Sequence, residues 1–190
     1  MEKNRCSWAN EPEIMRKYHD EEWGRPLFDD RKLFEFLLLD AFQAGLSWLT
    51  ILKKRENFKQ AFDDFDYLKI AEYDEDKIDK LMQDKEIVRN RRKILASIKN
   101  AQLYQSIQKE FGSFSDYIWK FVDNAPIVNI WQNWEEIPAT TKESDAMSKD
   151  LKKRGFSFVG STIIYAFMQA AGLVDDHVEK CFCKTKLEGK

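Results

Sequence analysis

The chain has 190 residues and a net charge of −2, with 43% hydrophobic and 34% charged residues. That length suits one domain or two closely joined lobes, and that balance supports an apolar core under a solvated surface. Only 7 Gly and 4 Pro argue against a loop-rich all-β protein, and no apolar run is long enough to span a bilayer.

In chain order the pattern is helical nearly throughout. Pro12 can open a short helix reaching Tyr18 or His19. Asp29 or Asp30 caps a helix from Arg31, with Leu33, Phe34, Leu37 and Leu38 on one face, and Gly45 ends it. Ser47 caps the next, Trp48 to Ala61. Two short helices fit Tyr67 to Glu72 and Glu75 to Gln83, and a long one fits Arg89 to Phe111. Ser113 or Ser115 caps another that runs through Phe121. The stretch 125–141 holds two Pro and two Trp with no clean period, which predicts an irregular connection. Ser144 caps a helix to Arg154, stopped by Gly155. Gly160 precedes a helix from Ser161 to Ala171, stopped by Gly172, and a final short helix carries His177 to Cys181. No alternation supports a sheet.

The start of the chain lacks the apolar core of a secretory signal, so a cytoplasmic protein is expected. The near-neutral charge counts mildly against nucleic-acid binding. Cations nevertheless cluster at Arg89, Arg91, Arg92 and Lys93, at Lys53 to Arg55, and at Lys149, Lys152, Lys153 and Arg154. Taken singly, each cluster suits a solvated helix face.

Three groups of residues bear on chemistry. From Leu151 to Thr162 a helix, a Gly-bounded turn and a second helix follow one another. Gly155 and Gly160 allow positive φ and close approach, and the N–H groups opening the second helix form an anion site with Lys153 or Arg154 beside it. An ordinary helical corner explains the pattern equally well. Second, the chain has only two His, each near a Cys: Cys6 lies thirteen residues before His19, and His177 four before Cys181. An i, i+4 pair on a helix shares one face, and two Cys with two His make a closed structural zinc set. By spacing alone, buried His and inert thiols fit better, and Cys183 is a rival ligand. Third, Trp8, Tyr18, Trp23 and Trp48 crowd the first quarter, while Asp40 shares an apolar helix face with Phe36, Leu37 and Ala44. A carboxylate there must cap, pair or face a cavity. With aromatics around it, it suits a flat cationic ligand.

Together these stretches resemble one family, the Tag-type 3-methyladenine DNA glycosylase I. The matching segments are Arg5-Cys6-x-Trp8, Tyr18-His19-Asp20-x-Glu22-Trp23-Gly24, Gln43 to Trp48 with Leu52 to Glu56, Leu151 to Phe156 with Phe158 to Gly160, and Phe167 to Ala170 with Gly172-Leu173-x-x-Asp176-His177. They run colinearly over almost the whole chain. The resemblance implies an all-α helix-hairpin-helix fold, one catalytic domain over 1–190, with a possible division into a terminal zinc-bearing lobe and a central helical lobe. It implies structural Zn²⁺ at Cys6, His19, His177 and Cys181, joining the N- and C-terminal segments. It implies a base pocket at Trp8, Tyr18 and Trp48, with Trp23 close by. The family's pocket Glu is Asp40 here, one methylene shorter; its second pocket aromatic is Met15, and Ala41 follows in place of a frequent Gly.

The implied activity is excision of 3-methyladenine from alkylated double-stranded DNA by a monomer, with no membrane involvement. The base flips into the pocket, Asp40 accepts from the adenine edge, and Gly45 and Leu46 fill the gap left in the DNA. Gly155, Gly160, Ser161, Thr162 and Lys153 hold the backbone. Lyase relatives carry a nucleophilic Lys soon after the hairpin's second Gly; here Ser161 and Thr162 stand there, so hydrolysis without strand cleavage is expected. Excision of another alkylated base, or binding of damaged DNA without cutting it, stays open beside this reading, with a structural zinc protein more distant. Neither Asp175 nor Asp176 is assigned a catalytic role.

Overall fold

A computed structural model of the chain describes residues 3–185. The described residues include nine α-helices: α1 (Glu13–Glu21), α2 (Asp30–Gln43), α3 (Trp48–Ala61), α4 (Tyr67–Ile70), α5 (Glu75–Gln83), α6 (Arg91–Phe111), α7 (Phe114–Trp119), α8 (Lys142–Lys153) and α9 (Ser161–Ala170). No described helix is long and apolar enough to cross a membrane.

Helix α2 is the centre. The sequence predicts one apolar face, yet every residue from Leu33 to Phe42 is buried, as befits a helix that neighbours cover on all sides. Helices α3, α6, α7 and α9 pack around it. Phe34 meets Tyr104 of α6 edge-on at 5.2 Å, and Phe42 meets Phe58 of α3 at 4.8 Å. At the start of α2, Asp30 accepts the backbone N–H groups of Phe114 and Ser115 at 2.9 Å each, capping α7 from a distant part of the chain.

Most caps follow the sequence. Asp29 accepts from the Lys32 amide and Ser47 from the Thr50 amide. Helix α8 starts three residues earlier than expected. Thr141 is its cap and Ser144 returns a hydroxyl to the Thr141 amide, forming a capping box. Helix α6 begins at Arg91 because Asn90 caps it, accepting from the Lys93 amide.

The terminal region corrects two expectations. The residues from His177 to Cys181 are not a helix; they lie in turns after a two-residue strand β2 (Val174–Asp175). That strand pairs in parallel with β1 (Ile127–Val128), inside the stretch expected to be irregular. A further bridge joins Trp131 to Val178. The Asp175 carboxylate accepts the His177 amide at 3.0 Å and fixes this turn where a helix would otherwise start.

Two buried charges on α2 have opposite fates. Glu35 accepts from Arg55 Nε at 2.6 Å, and the same guanidinium grips Glu22 with both terminal nitrogens at 2.7 and 2.8 Å. Arg55 thereby locks α3 to α2 and to the end of α1. Asp40 has no such partner. Replacing Arg55 by Ala strands Glu35 without its buried cation. A loss of about 3 kcal/mol is expected, read as a lower urea midpoint at constant m-value; an unmoved midpoint contradicts the clamp.

Candidate active site

The side chain of Asp40 is 3% exposed and its Oδ2 has no hydrogen-bond partner in the protein. Burial alone raises its pKa well above the usual carboxylate range. The carboxyl faces a cavity of ≈ 230 Å³ bounded by Trp8, Met15, Tyr18, Trp23, Gln43, Trp48, Trp134, Ala166 and Gln169. Pockets for drug-sized ligands run to about 300–1,000 Å³, so this one suits a single flat base. Two more orphaned polar atoms border it, the indole nitrogens of Trp8 and Trp48.

The walls come from distant parts of the chain. Tyr18 and Met15 project from α1, Trp48 opens α3, and Trp8 sits on a single 3₁₀ turn, Ser7–Ala9. Tyr18 and Trp48 lie 5.3 Å apart at 53°, and Trp8 lies 6.3 Å from Tyr18. Met15 lines the wall. Trp134 was missed by sequence reasoning. It stands on a 3₁₀ turn, Trp134–Glu136, 5.9 Å from Trp8. Its segment lacks periodicity, and only the unusual pairing of Trp131 and Trp134 in a loop hinted at a role. Gln169, within the matched segment Phe167 to Ala170, also lines the pocket. Its amide N–H donates to Asp176 at 2.8 Å, which leaves its carbonyl free for the cavity.

Asp176 is fully committed. Its two oxygens accept from Asn129, Trp131, Tyr165 and Gln169 at 2.6–2.8 Å. A carboxylate so saturated has no lone pair to spare for a water. Asp175 is held below the usual range: burial opposes its charge, but hydrogen bonds from His177 and Thr185 win.

Behind the cavity lies a cluster of His and Cys. His19, His177, Cys181 and Cys183 offer ligand atoms all within 4.8 Å of one another. Three of the four sequence-expected ligands are thus together; Cys183 stands where Cys6 was expected. Each imidazole has its Nδ1 held by a carboxylate at 2.9 Å, His19 by Asp20 and His177 by Asp175. That arrangement turns both Nε2 atoms inward. His177 Nε2 is buried without a partner, and His19 Nε2 lies 3.4 Å from Cys181 Sγ. Cys183 approaches His19 from the Nδ1 side, at 4.0 Å. The Cys6 thiol meets that of Cys181; this contact and burial raise Cys6, while it and His19 lower Cys181 toward the thiolate. The cluster touches the pocket wall: Trp23 lies edge-on to His177 at 4.6 Å, and Trp8 to His19 at 5.3 Å.

The turn between α2 and α3 presents Leu46, 41% exposed. Gly45 has φ +81°, and no atom lies within 4 Å of the Cβ it lacks. The turn from α8 to α9 departs from expectation in three ways. Gly155 has φ +99°, but Gly160 has an ordinary negative φ of −63°, and Phe158 takes the second positive value, +56°. Arg154 is spent on Glu110 and Asp150, so it is no free phosphate ligand. Ser161 directs its hydroxyl to Ser144 and Asp145. The N-terminus of α9 has no side-chain cap, Thr162 and Lys153 are exposed, and open space lies where a Gly160 Cβ would project.

A family model described as methyladenine glycosylase matches residues 8–184. A Haemophilus influenzae protein named DNA-3-methyladenine glycosylase is 51% identical, covering 95% of this chain and 98% of its own length. An Escherichia coli protein named DNA-3-methyladenine glycosylase 1 is 49% identical, over 94% and 96%. A crystal structure of 3-methyladenine DNA glycosylase I superposes with a TM-score of 0.93 at 47% identity, over 96% of this chain and 100% of that one. A structure concerned with 3-methyladenine recognition by the Staphylococcus aureus enzyme superposes at 0.92 with 38% identity, over 97% and 98%.

The raised pKa of Asp40 has a stability consequence. The folded state keeps a proton that the unfolded chain releases in the ordinary carboxylate range. This contribution is therefore fully present below that range and is lost as pH rises toward the folded-state pKa. Asp40→Asn, neutral and nearly isosteric, should gain on wild type in urea midpoint between pH 4 and pH 8. Parallel midpoint curves contradict it.

Proposed function

The chain belongs to the methyladenine glycosylase family, and from that premise we propose that it excises 3-methyladenine from alkylated double-stranded DNA by hydrolysing the N-glycosidic bond. The observation that carries this reading is the buried Asp40 carboxyl, unpartnered and facing a base-sized aromatic cavity.

The chemistry follows from charge. A 3-methyladenine nucleotide is cationic until its glycosidic bond breaks. In the ligand-free pocket burial favours the protonated form of Asp40. Entry of a cation favours loss of that proton, and the resulting carboxylate accepts hydrogen bonds from the base edge. A neutral adenine offers no such compensation, so the cavity discriminates by charge as well as shape. Trp8, Tyr18 and Trp48 enclose the ring faces, with Trp23 and Trp134 closing the rear. The cationic base is already a good leaving group, so selective binding does most of the work. Water adds to an oxocarbenium-like sugar carbon as the base departs neutral and a proton passes to solvent. The saturation of Asp176 agrees with a site that needs no strong general base.

The α8–α9 turn serves as the helix-hairpin-helix, with the uncapped first turn of α9 receiving a DNA phosphate. Leu46 is the wedge that fills the gap left by base flipping, and Gly45 lets the backbone turn there. The described residues form one catalytic unit, acting as a monomer.

The donor set fits zinc: two inward Nε2 atoms, one of them an orphan, with buried thiols beside them and carboxylates orienting both rings. Zinc at Cys6, His19, His177 and Cys181 supplies a structural cross-link between the chain's two ends. Cys6 is preferred to Cys183 because Cys183 approaches the nitrogen that Asp20 already occupies.

Chromatography of bases released from methylated DNA should show 3-methyladenine with the wild type. Asp40→Asn should slow release about 10- to 100-fold, the worth of one charge-assisted hydrogen bond (about 1.5–3 kcal/mol); an unchanged rate removes Asp40 from the site. Borohydride should trap no covalent enzyme–DNA adduct. In metal analysis of purified protein, Cys6→Ser should lose zinc and Cys183→Ser should retain it; the reverse pattern assigns the ligand to Cys183.

A further inference from the structure

Helix α6 joins two parts of the molecule that the proposed function assigns to DNA. Its Lys93 is buried and donates to the carbonyls of Phe42 and Ala44 at 2.7 Å each, gripping the end of α2 just before Gly45 and Leu46. The same ammonium lies 5.9 Å from the Phe158 ring centroid. Two turns on, Asn100 exchanges two hydrogen bonds of 2.9 Å with the backbone of Ser157. One helix therefore sets both the wedge turn and the hairpin turn.

Between these anchors runs an open cleft of ≈ 510 Å³, bounded by Arg92, Leu95, Ala96, Lys99, Ser157 and Phe158. Arg92, Leu95 and Lys99 are exposed and recur at helical spacing on α6. Among the described residues, neither Arg92 nor Lys99 forms an ion pair. Their neighbours differ: Arg91 is paired with Glu75 and Asp79, Arg154 with Glu110 and Asp150, and Lys93 is buried. Both cations therefore face the cleft with their charge uncompensated by a neighbouring carboxylate. Lys99 also borders the hairpin, its Nζ 3.8 Å from where a Gly155 Cβ would stand.

We propose that the cleft between α6 and the hairpin is a second DNA-backbone subsite, in which Arg92 and Lys99 hold phosphates and Leu95 and Phe158 contact deoxyribose. This rests on the DNA-glycosylase reading, since the cleft continues a surface already given to DNA by Leu46 and the α9 N-terminus. The cations supply the charge, and the apolar floor suits sugar rings. Neither residue touches the base, so the subsite adds affinity without sequence preference.

The test is the salt dependence of binding to a duplex carrying a tetrahydrofuran abasic-site analogue. Each phosphate contact adds about 0.9 to the slope of log K against log salt. Arg92→Gln combined with Lys99→Gln should flatten that slope by about 2, with single-turnover excision at saturating enzyme unchanged. Arg91→Gln, one residue away but paired elsewhere, should leave the slope as it is. An unchanged slope in the double variant overturns the proposal, as does an equal fall in Arg91→Gln, which reports net charge alone. Base release by wild type is scored separately. A chain that shows the predicted slopes but releases no 3-methyladenine refutes the activity and leaves the subsite standing.

Discussion

A carboxyl group buried without a cationic partner costs folding free energy, and a protein keeps one only where something outside the fold completes it. Asp40 is such a group. It sits on a helix buried continuously from Leu33 to Phe42, together with a Glu35 that is fully paired, so the fold has cations available and leaves Asp40 without one. The surrounding architecture can be read as what that choice requires. Arg55 ties α3 to α1 and α2, which fixes Trp48 against Tyr18 in the cavity wall. Asp176 gathers four donors from the β1 loop and α9, holding Gln169 at the rim and the loop that leads to Trp134. The pocket is rigid because its walls are tied by interactions that do not themselves face the ligand.

The His and Cys cluster extends this logic. His19 and His177 each lie edge-on to a pocket tryptophan, so whatever orders the imidazoles orders the rear wall. Gly24 shows how close that packing is: a Cβ there would lie 2.6 Å from the His177 ring. A metal held by this cluster would join α1 to the C-terminal segment.

Much of this was legible in the sequence. The cap residues Asp29, Ser47 and Ser113, and the long apolar period of α6, act locally and so leave local signals. The colinear motifs carried the family because they span the whole chain. What was not legible came from long-range pairing. The helix expected at His177 to Cys181 relied on i, i+4 spacing, but β1–β2 pairing and the Asp175 side chain impose a turn. Trp134 joins the pocket through a loop that long-range contacts position, the Trp131–Val178 bridge and the Trp131 indole N–H to Asp176 among them. Arg154 has one local partner, Asp150, and a second, Glu110, that lies 44 residues away. The positive φ expected at Gly160 belongs to Phe158, which no composition rule favours.

The central claim is that burial favours the neutral form of Asp40 until a cationic base enters. It is tested most directly by a carbon-detected NMR titration of the Asp40 carboxyl in the ligand-free protein, assigned by comparison with Asp40→Asn. The account predicts that this carboxyl titrates at higher pH than the surface carboxyls. A midpoint in the ordinary carboxylate range, near pH 4, contradicts it.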